Sequence, residues 1–229
     1  MKGDPRVCGV IAASSIQELE IDLRKAENAG ADLVEIRFDF LEERPNLATL
    51  RKLTQLPLIA TNRSEVDGGR SRLSPSKRIS LLLDAAKAGF EYIDVELATN
   101  ILPSSVKKAH LFGAKVIVSW HSFKNTPNSV KLQELFTSGL RSDAEITKIV
   151  TTATRMEDNL NCLNFVQKNS KRGRIIAFCM GRLGMASRIL APYFGSEFTY
   201  ASIAPSKQTA PGQVTLNEMR RAQELLGTA

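Results

Sequence analysis

Short apolar, β-branched runs recur along the whole chain, at Val7–Ala13, Leu33–Phe40, Leu58–Arg63, Tyr92–Leu97, Lys115–Phe123, Glu145–Ala153, Arg174–Gly181 and Phe198–Ala204. Runs of this length and composition predict buried strands. The segments between them follow a helical period instead. In Ser15–Asn28 the apolar positions are Ile16, Leu19, Leu23 and Ala26, and Ser15 offers an N-cap. Ser76–Ala88 repeats the pattern through Ile79, Leu82, Leu83 and Ala86, and Gly30 and Gly89 follow the two helices where a left-handed cap residue is needed. Eight strands alternating with eight helices, without a linker or a break in composition, predict an α/β fold: a (β/α)8 TIM barrel forming a single domain over residues 1–229. An open doubly wound sheet is the rival, but no G-x-G-x-x-G follows the first strand.

Polar residues inside these runs carry the chemistry. Strand side chains alternate between faces, so Val34, Ile36, Phe38 and Phe40 belong under the helices while Glu35, Arg37 and Asp39 face the barrel axis. The same sorting places Thr61 with Arg63, Asp94 with Glu96, and Ser119 with His121. Charges on that axis are costly unless paired or used. One reading makes them a filling layer in which Arg37 pairs with Asp94 or Glu96. Lys148 sits in the middle of another apolar run, Glu145-Ile-Thr-Lys-Ile-Val. It is either an end residue snorkelling to water or a buried amine, and burial favours the neutral, imine-forming nucleophile. His121 lies on the preceding strand, where it can serve as general acid and base to Lys148.

Composition narrows the alternatives. The 229 residues are 43% hydrophobic and 24% charged, as in an ordinary globular protein. No stretch of about 18 apolar residues and no signal-like start is present, so a cytoplasmic protein without a membrane partner is expected. Three dispersed cysteines and two histidines point to neither a disulfide framework nor a metal centre. The net charge of +7 suits nucleic acid or a small acidic substrate; it is spread along the chain with no basic arm, and by itself it decides little between them. After the seventh and eighth strands, Arg188 and Gln213 stand in loops that shape the ligand end of such barrels, where they suit a planar carboxylate, with phosphate as the competing ligand.

Taken together, Glu35-Ile-Arg37-Phe-Asp39, Thr61-Asn-Arg63 with Asp67-Gly-Gly69, Ser119-Trp-His121-Ser-Phe123, Thr147-Lys148-Ile149, Met180-Gly-Arg-Leu-Gly-Met-Ala-Ser-Arg188 and Ala210-Pro-Gly-Gln213 resemble type I 3-dehydroquinate dehydratases over nearly the whole chain. The resemblance implies dehydration of 3-dehydroquinate to 3-dehydroshikimate in the shikimate pathway, with no cofactor, in a barrel that is commonly a homodimer. It implies Lys148 as the Schiff-base residue and His121 as its acid and base. Arg188 and Gln213 would hold the substrate carboxylate, Glu35, Arg37, Arg63 and Thr209 would line the remaining site, and Met180 would lie against the ring. The family usually has a Glu before the Gly-Gly pair, thought to orient the His; Asp67 stands there in this chain, with Glu65 as the alternative. Physical reasoning adds an expectation of its own: Arg63 and Arg188 supply positive charge near Lys148, while Glu35 and Glu96 are paired to arginines and kept from it. A class I aldolase acting on a sugar phosphate is the competing enzyme.

Overall fold

In a computed structural model, which describes residues 5–227, eight parallel strands alternate with eight helices. The strands are β1 (Val7–Ile11), β2 (Leu33–Arg37), β3 (Leu58–Thr61), β4 (Tyr92–Glu96), β5 (Lys115–His121), β6 (Ile146–Thr152), β7 (Ile175–Met180) and β8 (Thr199–Ser202). The helices are α1 (Ile16–Asn28), α2 (Leu47–Arg51), α3 (Pro75–Lys87), α4 (Leu102–Leu111), α5 (Ser129–Leu140), α6 (Glu157–Asn169), α7 (Met185–Leu190) and α8 (Leu216–Leu225). All eight expected runs form strands. The Ser15 side chain caps α1 by accepting from the Glu18 amide at 3.2 Å, and Gly30 and Gly89 adopt φ of 75° and 95°.

The strands pair in the order β7-β6-β5-β4-β3-β2-β1-β8, a (β/α)8 barrel that is nearly closed. Among the described residues no ladder joins β7 to β8, whose approach is bridged by the Glu197 amide donating to the Ile175 carbonyl at 2.9 Å. Alternation produces two apolar layers. Val34, Ile36, Ala60, Ile93, Val95, Val116 and Val118 face the helices, while Cys8, Val10, Leu33, Ile59, Ile117, Ile146 and Ile176 fill the barrel floor. Alternation holds only as far as the strands run. β2 ends at Arg37, not Phe40, and residues 38–40 coil into a single tight turn that folds Asp39 back on Arg37. No described helix is long and apolar enough to cross a membrane.

Candidate active site

Above the apolar floor, the inward positions of β2 to β6 turn polar: Glu35, Thr61, Asp94, Ser119 and Lys148 are all at most 5% exposed. One cavity at the C-terminal ends of the strands is lined by all ten residues singled out in the sequence, Glu35, Arg37, Arg63, Asp67, His121, Lys148, Met180, Arg188, Thr209 and Gln213. Ladder register explains why the first of these meet. Ser119 is level with Lys148 and His121 with Val150, so His121 stands one inward position above Lys148, nearer the mouth.

Lys148 is buried and does not snorkel. Its Nζ donates to Asp94 Oδ2 at 3.0 Å, lies 3.5 Å from Glu35 Oε1, and sits 4.0 Å from the centre of the Tyr200 ring. The expected surrounding of guanidinium groups is therefore absent, and the nearest charges are carboxylates. Arg63 is one step removed, with NH2 2.8 Å from Asp94 Oδ1 and NH1 donating to Ser119 Oγ at 2.6 Å. The physical reason is that Asp94 presents opposite oxygens to two cations arriving from different strands. Of the two acidic pairs expected, only one forms: Glu96 meets Arg78 at 3.3 Å, while Glu35 accepts from the Thr61 hydroxyl at 2.8 Å. Arg37 pairs with neither Asp94 nor Glu96. It makes a bidentate contact with Asp39, at 2.9 and 2.7 Å, because the turn after β2 brings that carboxylate back within reach.

His121 is packed against Phe123 with ring centres 6.1 Å apart and nearly parallel planes. Burial, together with the positive charges of Arg63 and Lys148, pushes its imidazole well below 6.5, against a smaller opposing pull from Asp94. Among the described residues Nδ1 has no hydrogen-bond partner. Asp67 lines the cavity but accepts from Ser64 Oγ at 3.1 Å, and Glu65 is engaged by Arg72 at 2.7 Å, so neither acid bonds to His121. The glycine pair shapes this loop: a Cβ on Gly68 would stand 2.3 Å from Phe123 Cζ, so the loop lies directly on that ring.

Arg188 is 1% exposed, yet among the described residues Nε and NH2 have no partner and NH1 reaches only the Tyr200 carbonyl at 3.4 Å. Its guanidinium lies 4.3 Å from the centre of the Phe178 ring, and burial draws it down to about 10. Buried donors left open in a cavity wall suit an anion that arrives from outside. Across from it, Gln213 Oε1 accepts from the Thr209 amide at 2.8 Å and the Thr209 hydroxyl at 3.2 Å, which leaves the amide NH2 as the end available to a ligand. Phe178, Met180 and Val150 supply an apolar wall. Phe178 and Tyr200 escaped the sequence reading, although alternation from Met180 along β7 places Phe178 inward.

A family model described as type I 3-dehydroquinase matches residues 7–229. A 3-dehydroquinate dehydratase of Dehalococcoides mccartyi is 41% identical over 218 residues, covering 94% of this chain and 93% of the relative. Among solved structures, the 3-dehydroquinate dehydratase of Geobacillus kaustophilus superposes with a TM-score of 0.91 at 25% identity, covering 98% of this chain and 92% of that one. The type I 3-dehydroquinate dehydratase of Clostridium difficile, solved with covalent modified comenic acid, gives a TM-score of 0.87 at 26% identity over 98% of this chain and 93% of that one.

Proposed function

The chain belongs to the type I 3-dehydroquinase family, and from that premise we propose that it is a hydro-lyase converting 3-dehydroquinate to 3-dehydroshikimate through an imine on Lys148. The observation that carries this reading is the open pair of buried Arg188 donors in the same cavity as Lys148 and His121. They fit the substrate carboxylate, and a ligand held there, shared with Gln213, presents its ring to the Met180 wall and its ketone to Nζ.

The steps follow from the side chains present. Nζ attacks the ketone carbon and water leaves, giving an iminium that withdraws electrons from the neighbouring carbon. His121, neutral because imidazolium is disfavoured at its site, takes the proton from that carbon and then delivers it to the departing hydroxyl. Arg37, Arg63 and Thr209 line the rest of the cavity, where their donors suit the ring hydroxyls of the substrate. Water then hydrolyses the imine and frees Lys148.

Borohydride reduction in the presence of dehydroquinate, followed by peptide mass mapping, tests this. The expected result is one reduced adduct on Lys148. An adduct on another residue, or turnover without any adduct, refutes the mechanism. The proposal extends to a cytoplasmic homodimer; light scattering on the eluting peak should give twice the chain mass.

A further inference from the structure

We propose that the two carboxylates around Lys148 have different tasks: Glu35 takes the ammonium proton that must leave before Nζ can attack, and Asp94 stays ionised as the counter-ion of the iminium. This rests on the reading of Lys148 as the imine-forming residue and assigns the proton traffic within it.

The difference lies in what holds each acid. Asp94 is met by three donors, Lys148 Nζ at 3.0 Å, Arg63 NH2 at 2.8 Å and Ser119 Oγ at 2.6 Å. Burial alone would favour its protonated form, but Arg63, Lys148 and the serine outweigh burial and hold the carboxyl well below the usual range. Protonating it would strip a buried guanidinium of the one carboxylate that lies within ion-pair distance of it among the described residues. Glu35 accepts from one neutral group, Thr61 Oγ1, and among the described residues no arginine lies within ion-pair distance of it, because Arg37 is locked on Asp39. It lies at ion-pair distance, 3.5 Å from Nζ, which a small side-chain adjustment closes to a hydrogen bond. With the Tyr200 ring on another side of Nζ, the cavity is the side left for a ketone.

The stoichiometry is consistent with this division. Glu35 accepts one proton from the ammonium, the amine forms a C–N bond, and the carbonyl oxygen is protonated in two stages as it departs. One of those protons comes from the nitrogen and one is returned by Glu35. Ammonium plus ketone thus becomes iminium plus water with no net change in charge, and Asp94 faces a single positive charge at the start and at the end.

Other titratable groups facing the cluster are quiet over the range that matters. Burial pushes Cys8 of β1 and Tyr200 of β8 well up, and His121 of β5 is pushed well down. Arg63 and Arg188 remain charged, and β7 contributes apolar Phe178 and Met180. Between about pH 6.5 and 9 these surrounding groups therefore keep one protonation state, and a change of pH profile between variants is read against a constant background.

The test is rapid mixing with dehydroquinate and borohydride quench across that range, scoring the Lys148 adduct by mass in wild type, Glu35→Gln, Glu35→Asp and Asp94→Asn. Glu35→Gln should slow adduct formation at pH 7 by about 100-fold, with the deficit shrinking as pH rises and KM little moved; Glu35→Asp should fall between. Asp94→Asn should lower the amount of adduct without recovery at high pH. Wild-type rate and pH profile in Glu35→Gln, or a defect confined to KM, overturns the assignment, and a pH-recoverable defect in Asp94→Asn reverses it. If Glu35→Gln melts out, Glu35→Asp decides alone, since its withdrawn carboxylate should give the same pH-recoverable slowing. Absence of adduct in wild type would instead refute the imine reading itself.

Discussion

Arg188 shows at the scale of one residue how stability and binding are set against each other. Its guanidinium is removed from water, stacks on Phe178 and leaves two nitrogens unbonded. An unpaired buried charge is a net cost to the fold. Arg188→Met should therefore melt higher, by the equivalent of about 1–2 kcal/mol, while KM for a carboxylate substrate rises about 100-fold, which corresponds to roughly 2.7 kcal/mol of lost binding. Calorimetry and steady-state kinetics on the same preparation check both directions, and a variant that melts lower contradicts the account. His121 gives a second prediction. Because its site disfavours imidazolium, the neutral base persists below the ordinary histidine value, and the acid limb of kcat/KM should fall below pH 6.5. NMR titration of the imidazole nitrogens should place the transition on the same side.

At the scale of elements, the loop after β8 carries Thr209 and Gln213 to the site and is fixed at two points. Lys207 is paired with Glu18 and, at 3.2 Å, with Asp22, both on α1. Gly212, at φ 71°, lies so close to the loop after β7 that a Cβ there would stand 2.2 Å from the Gly181 carbonyl oxygen. The hydrogen bond from Lys207 draws the Glu18 carboxyl down to about 2. A lowered carboxyl contributes above its unfolded value of about 4.5 and loses that contribution as pH falls toward 2, so the tether is intact at neutral pH. Lys207→Ala should raise KM about threefold to tenfold with kcat close to wild type, and move global stability by less than about 1 kcal/mol, as expected of a partly exposed pair. Equal losses in kcat and KM, measured by initial rates, would mean that the pair acts on the chemical step and not on loop position.

On the scale of the whole molecule, the barrel has a seam. Among the described residues β8 forms a ladder only with β1, apart from a single Ser202–Thr215 bridge, and β7 only with β6, while α7 bonds to both: the Ser187 hydroxyl accepts from the Cys179 amide at 2.9 Å and the Arg188 carbonyl accepts from the Thr199 hydroxyl at 2.7 Å. The helix that closes the seam is also the one that presents Arg188 to the cavity. Amides of β7 and β8 should exchange faster than those of β4 and β5, which are paired on both sides, and a carboxylate ligand on Arg188 should slow both seam strands together. Hydrogen exchange followed by mass spectrometry reads this directly; uniform protection around the barrel would show that the seam is no weaker than the ladders.

Hydrophobic period by itself determined the eight strands, their alternation with helices and the inward set that includes Glu35, Asp94, Ser119, His121 and Lys148, because the face a strand residue takes follows from its position in the run. The family resemblance, not the period, picked out the loop residues Asp67, Thr209 and Gln213, and these share one cavity with Lys148 and His121 because the loops at the C-terminal ends of parallel strands share one rim. Neither determined which charge meets which. Glu35 and Asp94 reach Lys148, and Arg37 turns to Asp39, because barrel stagger and the point where β2 stops set distances that a residue's own strand does not encode. Asp67 likewise enters the cavity without touching His121, because the path of its loop over Phe123, not its place beside the glycines, decides its reach. Local pattern fixes the face and the height of a side chain, and only the closed tertiary structure fixes its partner, since partners lie on strands and loops remote in the chain.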